Sequence, residues 1–368
     1  MLMFNRYKTV SAAVRLLSAL IVLSVVGLLA SCGGSSTTPT PPPPIVTATS
    51  TCNFGLRGLS QECSFSYTDA KGAQTRKFVL HIPNSFVSSQ GMVLYLHGAG
   101  GTDTEGDNTG WTQKSDSVGF IAIYPQALPV GPNGGNSWAD YFSPGLNNPP
   151  DDVTFISQII TYFEGTPLLV NPSHVYVTGF SAGAYMAHRV AVELSSQVAA
   201  IASVSGALME SSAGASNLVQ SAKGPVSILM LNGDADLNVG YCGENDSAGI
   251  SSSVDETFNY WTSAKANACA FITPAPSANP STLCDLNHLP TTIVTRKGAS
   301  CLKTTEVIAY QLHAGTHQFY GLSSNGVPLP LNVSPGTSTA PFNINFAGGV
   351  GTTTVDVCWN FFQSHSKK

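Results

Sequence analysis

The segment that most constrains the fold of this chain is residues 175–190, where an apolar run passes into a glycine-containing motif and then into a helix-compatible stretch. Residues 175–183 read Val-Tyr-Val-Thr-Gly-Phe-Ser-Ala-Gly, and Ala-Tyr-Met-Ala-His-Arg-Val follows. A strand, a tight turn and a helix in this order are the context that a G-x-S-x-G nucleophile elbow requires. The turn needs small residues beside the serine, which accounts for Gly179 and Gly183. The pattern predicts that Ser181 is exposed above a sheet, at the amino end of a helix.

The N-terminal segment has the pattern of an export signal. Arg6, Lys8 and Arg15 form a basic start, and residues 16–30 are a mostly apolar run that is short for a membrane span. The run ends in Leu-Ala-Ser before Cys32, which resembles the lipobox of bacterial lipoproteins. The resemblance implies cleavage after residue 31 and a diacylglycerol on Cys32, hence an exported protein anchored to a membrane in the periplasm or at the cell surface. An ordinary signal peptide, which would release the protein outside the cell, and an uncleaved anchor are the alternatives.

Composition divides the rest of the chain into a tether and one domain. Residues 32–51 are rich in Gly, Ser and Thr with four consecutive prolines, which is typical of an extended linker. The full chain has 368 residues, 43% apolar and 10% charged, so residues 52–368 can form one sizeable core. The net charge is −5 and no basic face is evident, which argues against nucleic-acid binding.

The cysteines fit an oxidising compartment. Removing Cys32 from the eight leaves seven, so at least one stays unpaired or pairs outside the chain. No C-x-x-C pair is present, which makes a metal site a poor explanation. The expected disulfides are Cys52–Cys63, which are close in sequence, Cys269–Cys301, which would close an inserted loop, and Cys242–Cys284.

Short β-rich runs alternate with helical patterns, which predicts an α/β fold with a mostly parallel central sheet and helices on both faces. Strands are predicted at residues 77–82, 92–97, 120–124, 175–180, 199–205, 226–231 and 306–312. Helices are predicted at residues 153–163, 182–194, 257–267 and 355–364.

Serine-dependent acyl transfer needs a base, an acid that orients it, and N–H donors for the oxyanion. Residues 93–101 form an apolar run that breaks into His-Gly-Ala-Gly-Gly, a turn that can aim a backbone N–H at an oxyanion. We assign the donors to the backbone of Ala99 and of Ala182, the residue after the serine.

The acid and the base follow two later strands. The run at 226–231 is followed by Asn-Gly-Asp-Ala-Asp, so Asp236 is the preferred acid and Asp234 its rival. The run at 306–312 leads to His317 in a Gly/Thr loop, with His313 as the competing base. The order serine, acid, histidine is that of the α/β-hydrolase fold. The two histidines could also be zinc ligands, but the further ligands that zinc needs are not found in the sequence.

Two other residues have competing interpretations. Trp138 lies in the long loop at 126–150 and is expected to line the substrate pocket, or else to pin that loop to the domain. His188, on the helix after the serine, is interpreted as a packed helix residue rather than a base.

Together these motifs resemble the polyhydroxybutyrate depolymerase and feruloyl esterase group, which is related to family 1 carbohydrate esterases. The motifs are those at 96–101, 119–125, 151–156, 174–183 and 315–317, together with Trp138, and the resemblance covers about residues 75–365. It implies the α/β-hydrolase fold, secretion, and a triad of Ser181, Asp236 and His317.

The resemblance further implies a serine carboxylesterase without cofactor or metal. Its expected substrates are feruloyl or acetyl esters of plant polysaccharides, or polyhydroxyalkanoates. A serine peptidase on the same fold, and a surface protein that binds carbohydrate or polymer without catalysis, are the alternatives.

Overall fold

The apolar runs of the sequence form neighbouring strands of one mixed β-sheet. The computed structural model describes residues 48–129, 135–140, 149–208, 221–246, 249–273, 294–312, 315–319 and 353–367. Within them the strands are β1 (Thr49–Ser50), β2 (Ser60–Asp69), β3 (Gly72–His81), β4 (Met92–Leu96), β5 (Ile121–Pro125), β6 (Val175–Phe180), β7 (Ala200–Val204), β8 (Ser227–Gly233), β9 (Glu244–Asp246), β10 (Gly249–Ser251), β11 (Phe271–Thr273), β12 (Val294–Ala299) and β13 (Val307–Leu312). The helices are α1 (Glu105–Asn108), α2 (Trp111–Val118), α3 (Asp152–Gly165), α4 (Ala182–Glu193), α5 (Val254–Thr262) and α6 (Thr354–Gln363).

Parallel strands form the centre of the sheet, in the order β5-β4-β6-β7-β8-β13. Antiparallel strands continue it on both sides, with β3, β2 and β1 beside β5 and with β12 and β11 beside β13. The predicted fold class is therefore confirmed at the centre of the sheet. The run predicted at 77–82 belongs to β3, which pairs antiparallel with β5.

Alternate residues of the central strands pack on opposite faces of the sheet. In β4, Leu94 belongs to one buried apolar cluster and Tyr95 to the other. The first cluster includes Phe155 of α3 and further side chains of α4 and α5. The second includes Trp111 of α2 and Phe362 of α6. Helices therefore cover both faces, and the carboxyl ends of the parallel strands meet at one edge of the sheet.

Capping side chains set the first residues of the predicted helices. Asp151 accepts the N–H of Thr154 at the start of α3. Ser253 and Glu256 form a capping box at the start of α5, and α6 begins with a second capping box. The cap at Ser253 explains why α5 begins three residues before the start predicted at 257.

The sheet begins before the predicted end of the tether. Thr49 and Ser50 form β1, which pairs antiparallel with β2, so the boundary predicted at 51 lies inside the folded part. The predicted signal peptide and Cys32 lie outside the described residues. No helix in the part of the chain that the structure describes is long and apolar enough to cross a membrane.

Two of the expected disulfides are formed, Cys52–Cys63 and Cys269–Cys301. The first ties the segment after β1 to β2, and the second closes the loop that contains β11 and β12. The third expected pair involves Cys284, which lies outside the described residues.

Candidate active site

Ser181 lies in a strained turn between β6 and α4. Its backbone has φ 53° and ψ −121°, a conformation that residues other than glycine rarely adopt. A Cβ on Gly183 would lie 2.0 Å from the carbonyl oxygen of Leu96, and one on Gly179 would lie 2.2 Å from the carbonyl oxygen of Gly183. Glycine at these positions lets α4 start directly against the ends of β4 and β6, as the sequence motif predicts.

A continuous chain of hydrogen bonds joins Ser181, His317 and Asp236. The Oγ of Ser181 is 3.0 Å from Nε2 of His317, and Nδ1 of His317 is 2.9 Å from Oδ2 of Asp236. The other carboxylate oxygen accepts the backbone N–H groups of Asn238 and Val239, each at 2.9 Å. The three side chains, remote in sequence, thus have the order and spacing of a nucleophile, a base and an orienting acid.

The structure distinguishes between the two candidate acids. Asp236 contacts His317, whereas the carboxylate of Asp234 faces the amide of Gln311 at 3.4 Å. The N–H of Asp234 donates to the carbonyl of Leu312 and thereby continues the pairing of β8 with β13. Asp234 therefore belongs to the edge of the sheet.

Aromatic rings hold the imidazole of His317 in place. The ring of Phe180, which precedes the serine, lies 4.9 Å from the imidazole centroid to centroid. Phe319 packs edge-on against Phe180 and against Tyr95 of β4. The side chain of His317 is 15% exposed, so it remains open to solvent on one side. The competing base, His313, lies outside the described residues.

The two proposed oxyanion donors belong to segments next to Ser181. Ala182 is the first residue of α4, so its N–H is one of the four that have no partner within a helix. Gly98 lies directly over the turn, since a Cβ there would be 3.3 Å from the ring of Phe180 and 3.6 Å from Cβ of Ser181. Ala99, the proposed donor, therefore follows a residue that lies close to the serine.

His97 is buried behind this loop and neutral. Its Nε2 accepts the backbone N–H of Ala127 at 3.1 Å, so the proton is on Nδ1, which donates to the carbonyl of Gly98 at 2.7 Å. Burial lowers the pKa of His97 to about 4, against the smaller effect of the bond to Gly98. The imidazole is therefore an uncharged donor near neutral pH.

The placement of Trp138 corrects its expected role in substrate binding. Its side chain is 1% exposed, its indole N–H donates to the carbonyl of His97 at 2.9 Å, and its ring packs on the imidazole of His97. A side chain this buried, with its one polar group already bonded, has no surface left for a ligand. The alternative, in which Trp138 pins its loop to the domain, agrees with the structure.

His188 does not take part in the site. It is fully buried between α4 and α5, where Nδ1 accepts the indole N–H of Trp261 at 3.0 Å. Burial lowers its pKa to about 3. This agrees with a packed helix residue.

The sequence-based assignment missed two residues next to the site. Phe180 is the variable position before the serine, and its contact with His317 depends on the tertiary structure. Gln126 directly follows β5, and its side chain contacts the imidazole of His97 at 3.3 Å. A polar residue at the carboxyl end of a parallel strand was the available signal for Gln126.

No group of three or more His, Cys, Asp or Glu side chains in the described ranges is placed to hold a metal ion. Both ring nitrogens of His317 are engaged, by Ser181 and Asp236.

Parts of the chain are similar in sequence to known esterases. Residues 80–253 match the sequence model of the family described as Phospholipase/Carboxylesterase. The putative esterase NocK of Nocardia uniformis subsp. tsuyamanensis is 32% identical over 169 residues, covering 44% of this chain and 46% of the relative. Poly(3-hydroxyalkanoate) depolymerase C of Paucimonas lemoignei is 28% identical, over 34% of this chain and 30% of the relative. The matches therefore span less than half the length of these curated relatives.

Solved structures also match this chain, at low sequence identity. The acetyl xylan esterase from Aspergillus awamori superimposes with a TM-score of 0.44 and 16% sequence identity, covering 70% of this chain and 94% of that one.

Proposed function

We propose that this chain is a serine carboxylesterase. It is an α/β-hydrolase of the kind that includes polyhydroxybutyrate depolymerases and related esterases. The observation that carries the proposal is the bonded chain Asp236–His317–Ser181, with distances of 2.9 and 3.0 Å. It lies at the carboxyl edge of the parallel strands, where open α/β sheets bind their ligands.

In the proposed reaction, Nε2 of His317 takes the proton of Ser181 as Oγ attacks the ester carbonyl. The carbonyl oxygen becomes an oxyanion, which the N–H groups of Ala99 and Ala182 stabilise. The tetrahedral intermediate collapses to an acyl-enzyme as His317 gives its proton to the leaving alcohol. A water molecule then releases the acid by the same two steps. Throughout, the carboxylate of Asp236 accepts the hydrogen bond from Nδ1–H of His317, which fixes the orientation of the ring. The same carboxylate stabilises the imidazolium.

The proposed substrates are esters of polymers. One relative is named a poly(3-hydroxyalkanoate) depolymerase and another, of Aspergillus terreus, a probable acetylxylan esterase. These names support hydroxyalkanoate oligomers and acylated polysaccharides as the compounds to test first.

We also propose that the protein is exported and carries a lipid on Cys32. The disulfides Cys52–Cys63 and Cys269–Cys301 support an oxidising compartment. Metabolic labelling with a fatty-acid analogue tests the anchor, because a Cys32→Ala variant should lose the label. A mature protein without lipid would contradict it.

The decisive test compares wild type with Ser181→Ala on four ester classes: nitrophenyl, feruloyl, acetylxylan and hydroxybutyrate oligomers. Ser181→Ala should lower kcat by about 10⁴-fold or more, because only binding and oxyanion stabilisation remain. Ser196→Ala, which changes an exposed serine beyond α4, is the matched control and should keep full activity.

Labelling with a fluorophosphonate distinguishes the alternatives. Wild type should be labelled on Ser181, whereas an unlabelled and inert wild type would favour the non-catalytic binding protein. Cleavage of peptides in preference to esters would favour the peptidase.

A further inference from the structure

Side chains hold both polar groups of the peptide that joins His97 to Gly98. The indole N–H of Trp138 donates to the carbonyl of His97 at 2.9 Å. The N–H of Gly98 faces the carboxylate of Glu105 and lowers its pKa, and the same carboxylate accepts the hydroxyl proton of Tyr95 at 2.7 Å. Because the carbonyl and the N–H of a trans peptide point in opposite directions, Trp138 and Glu105 clamp this peptide from opposite sides.

The next peptide, between Gly98 and Ala99, is held at its carbonyl. That oxygen accepts Nδ1–H of His97 at 2.7 Å and the N–H of Gly101 at 3.0 Å. By the same geometry, the N–H of Ala99 points away from His97. The direction of this N–H is therefore set by the two peptide planes that meet at Gly98.

The clamped segment passes close to Ser181. A Cβ on Gly98 would be 3.6 Å from Cβ of Ser181, and the N–H of Ala99 belongs to the residue that follows Gly98. A rotation of either plane at Gly98, which as glycine resists such rotation least, would turn that N–H away from the oxyanion.

We propose that Glu105 and Trp138, acting with His97, are positioning residues that hold the Ala99 N–H in the direction of the oxyanion. The inference rests on the proposed esterase function and assigns these side chains a part in it. Neither residue touches the reacting atoms, since each acts through the backbone at Gly98.

The contacts of Glu105 fit this role. Burial raises its pKa, while the bonds from Tyr95 and Gly98 oppose that rise. The polar groups at its carboxylate are the hydroxyl of Tyr95, whose own pKa is raised by burial, and the N–H of Gly98. These contacts bring two hydrogen-bond donors and no cation to the carboxylate of Glu105. The carboxylate therefore serves as an acceptor for the loop.

A positioning role predicts a loss of rate without a loss of substrate binding, because an oxyanion forms only in the transition state. Removing one oxyanion donor outright costs about 10²- to 10³-fold in kcat, so misdirecting one should cost about 10- to 100-fold. KM for a nitrophenyl ester should stay within about twofold of wild type.

The key variant is Trp138→Phe, which keeps an aromatic ring and removes the N–H. Its matched control is Trp261→Phe, which removes another buried indole N–H, the one bonded to His188 between α4 and α5. At the other side of the peptide, Glu105→Gln keeps one acceptor oxygen and Glu105→Met keeps none. Activity should fall in the order wild type, Gln, Met.

Each variant is assayed for kcat and KM, for inhibition by a phenylboronic acid, and for melting temperature. The boronate forms a tetrahedral adduct on Ser181, so its affinity should fall in proportion to kcat in Trp138→Phe and in Glu105→Met. Trp261→Phe should melt earlier but keep its kcat and its boronate affinity. If Trp138→Phe does not fold, the ordered pair at Glu105 provides the same test.

Equal kcat and boronate affinity in Trp138→Phe and Trp261→Phe would overturn the inference, and so would equal activity of the two Glu105 variants. These results require an active wild type whose Ser181 reacts with a fluorophosphonate. An inert, unlabelled wild type would instead refute the proposed function itself, so the two failures are distinguishable.

Discussion

The carboxylate of Asp236 divides its two oxygens between its own loop and the imidazole. One oxygen accepts the N–H groups of Asn238 and Val239, and the other faces Nδ1 of His317. The loop thus fixes the carboxylate before the imidazole meets it, and the direction of the second oxygen selects the tautomer of His317 that leaves Nε2 free to accept a proton.

Replacing Asp236 with Asn should therefore separate tautomer control from folding. An amide can still accept the two loop N–H groups, but it can present an N–H to Nδ1 and favour the wrong tautomer. We expect kcat for a nitrophenyl ester to fall by about 10³- to 10⁴-fold at neutral pH, with KM nearly unchanged.

Asp234→Asn is the matched control, because it makes the same chemical change two residues away, at a carboxylate that faces Gln311. It should lower kcat by less than about tenfold. Similar losses in the two variants would refute the assignment of Asp236.

Asp234 and Asp236 also show which contacts of a single residue the sequence cannot predict. Both follow the same buried run, and the motif was enough to prefer Asp236 over Asp234 as the acid of the triad. The contact itself depends on the backbone turn after Asp236. The two interpretations of Trp138 could not be separated for a similar reason, because its partner is a backbone carbonyl 41 residues away, which no local pattern records.

Whole elements were predictable where burial is complete. The parallel strands β4 to β8 and β13 are nearly all buried, so their sequences are continuous apolar runs that can be recognised without a partner. The β2–β3 hairpin was predicted only in part, because β2 alternates buried and exposed residues and carries many polar side chains. Helix α2 was missed because it buries little more than Trp111 and Ser115.

The contact of α4 with β4 and β6 makes a prediction about elements. In Gly183→Ala, the added methyl would lie 2.0 Å from the carbonyl oxygen of Leu96, which is backbone and cannot yield like a side chain. The helix must move away from the strands, and Ser181 moves with it. We expect a loss of about 1–3 kcal/mol in the free energy of unfolding, measured in urea, and a large loss of kcat.

Gly165→Ala provides the control for adding a methyl group to a helix. Gly165 ends α3, and a Cβ added there would meet no heavy atom of a neighbouring element within 4 Å. The substitution should be neutral or stabilise the protein by up to about 1 kcal/mol. A Gly183→Ala variant as stable and active as Gly165→Ala would show that the close approach is dispensable.

For the molecule as a whole, buried neutral histidines should determine how stability responds to acid. Burial lowers the pKa of His188 to about 3 and that of His97 to about 4, whereas in the unfolded chain each has a pKa of about 6.5. Below pH 6.5 the unfolded state therefore takes up protons that the native state does not. The free energy of unfolding should fall as pH is lowered from about 6.5 toward 4, by up to about 1.4 kcal/mol per pH unit for each histidine.

His188→Gln tests this coupling, because its amide oxygen can still accept the N–H of Trp261 while the titrating group is gone. In urea unfolding at a series of pH values, the acid-side slope of this variant should be smaller than that of wild type by about 1.4 kcal/mol per pH unit between pH 5.5 and 4. His174→Gln, at a partly exposed position, controls for the loss of a histidine as such. An unchanged slope in His188→Gln would mean that the acid sensitivity of the fold comes from other groups, since the imidazole bonded to Trp261 would then contribute nothing to it.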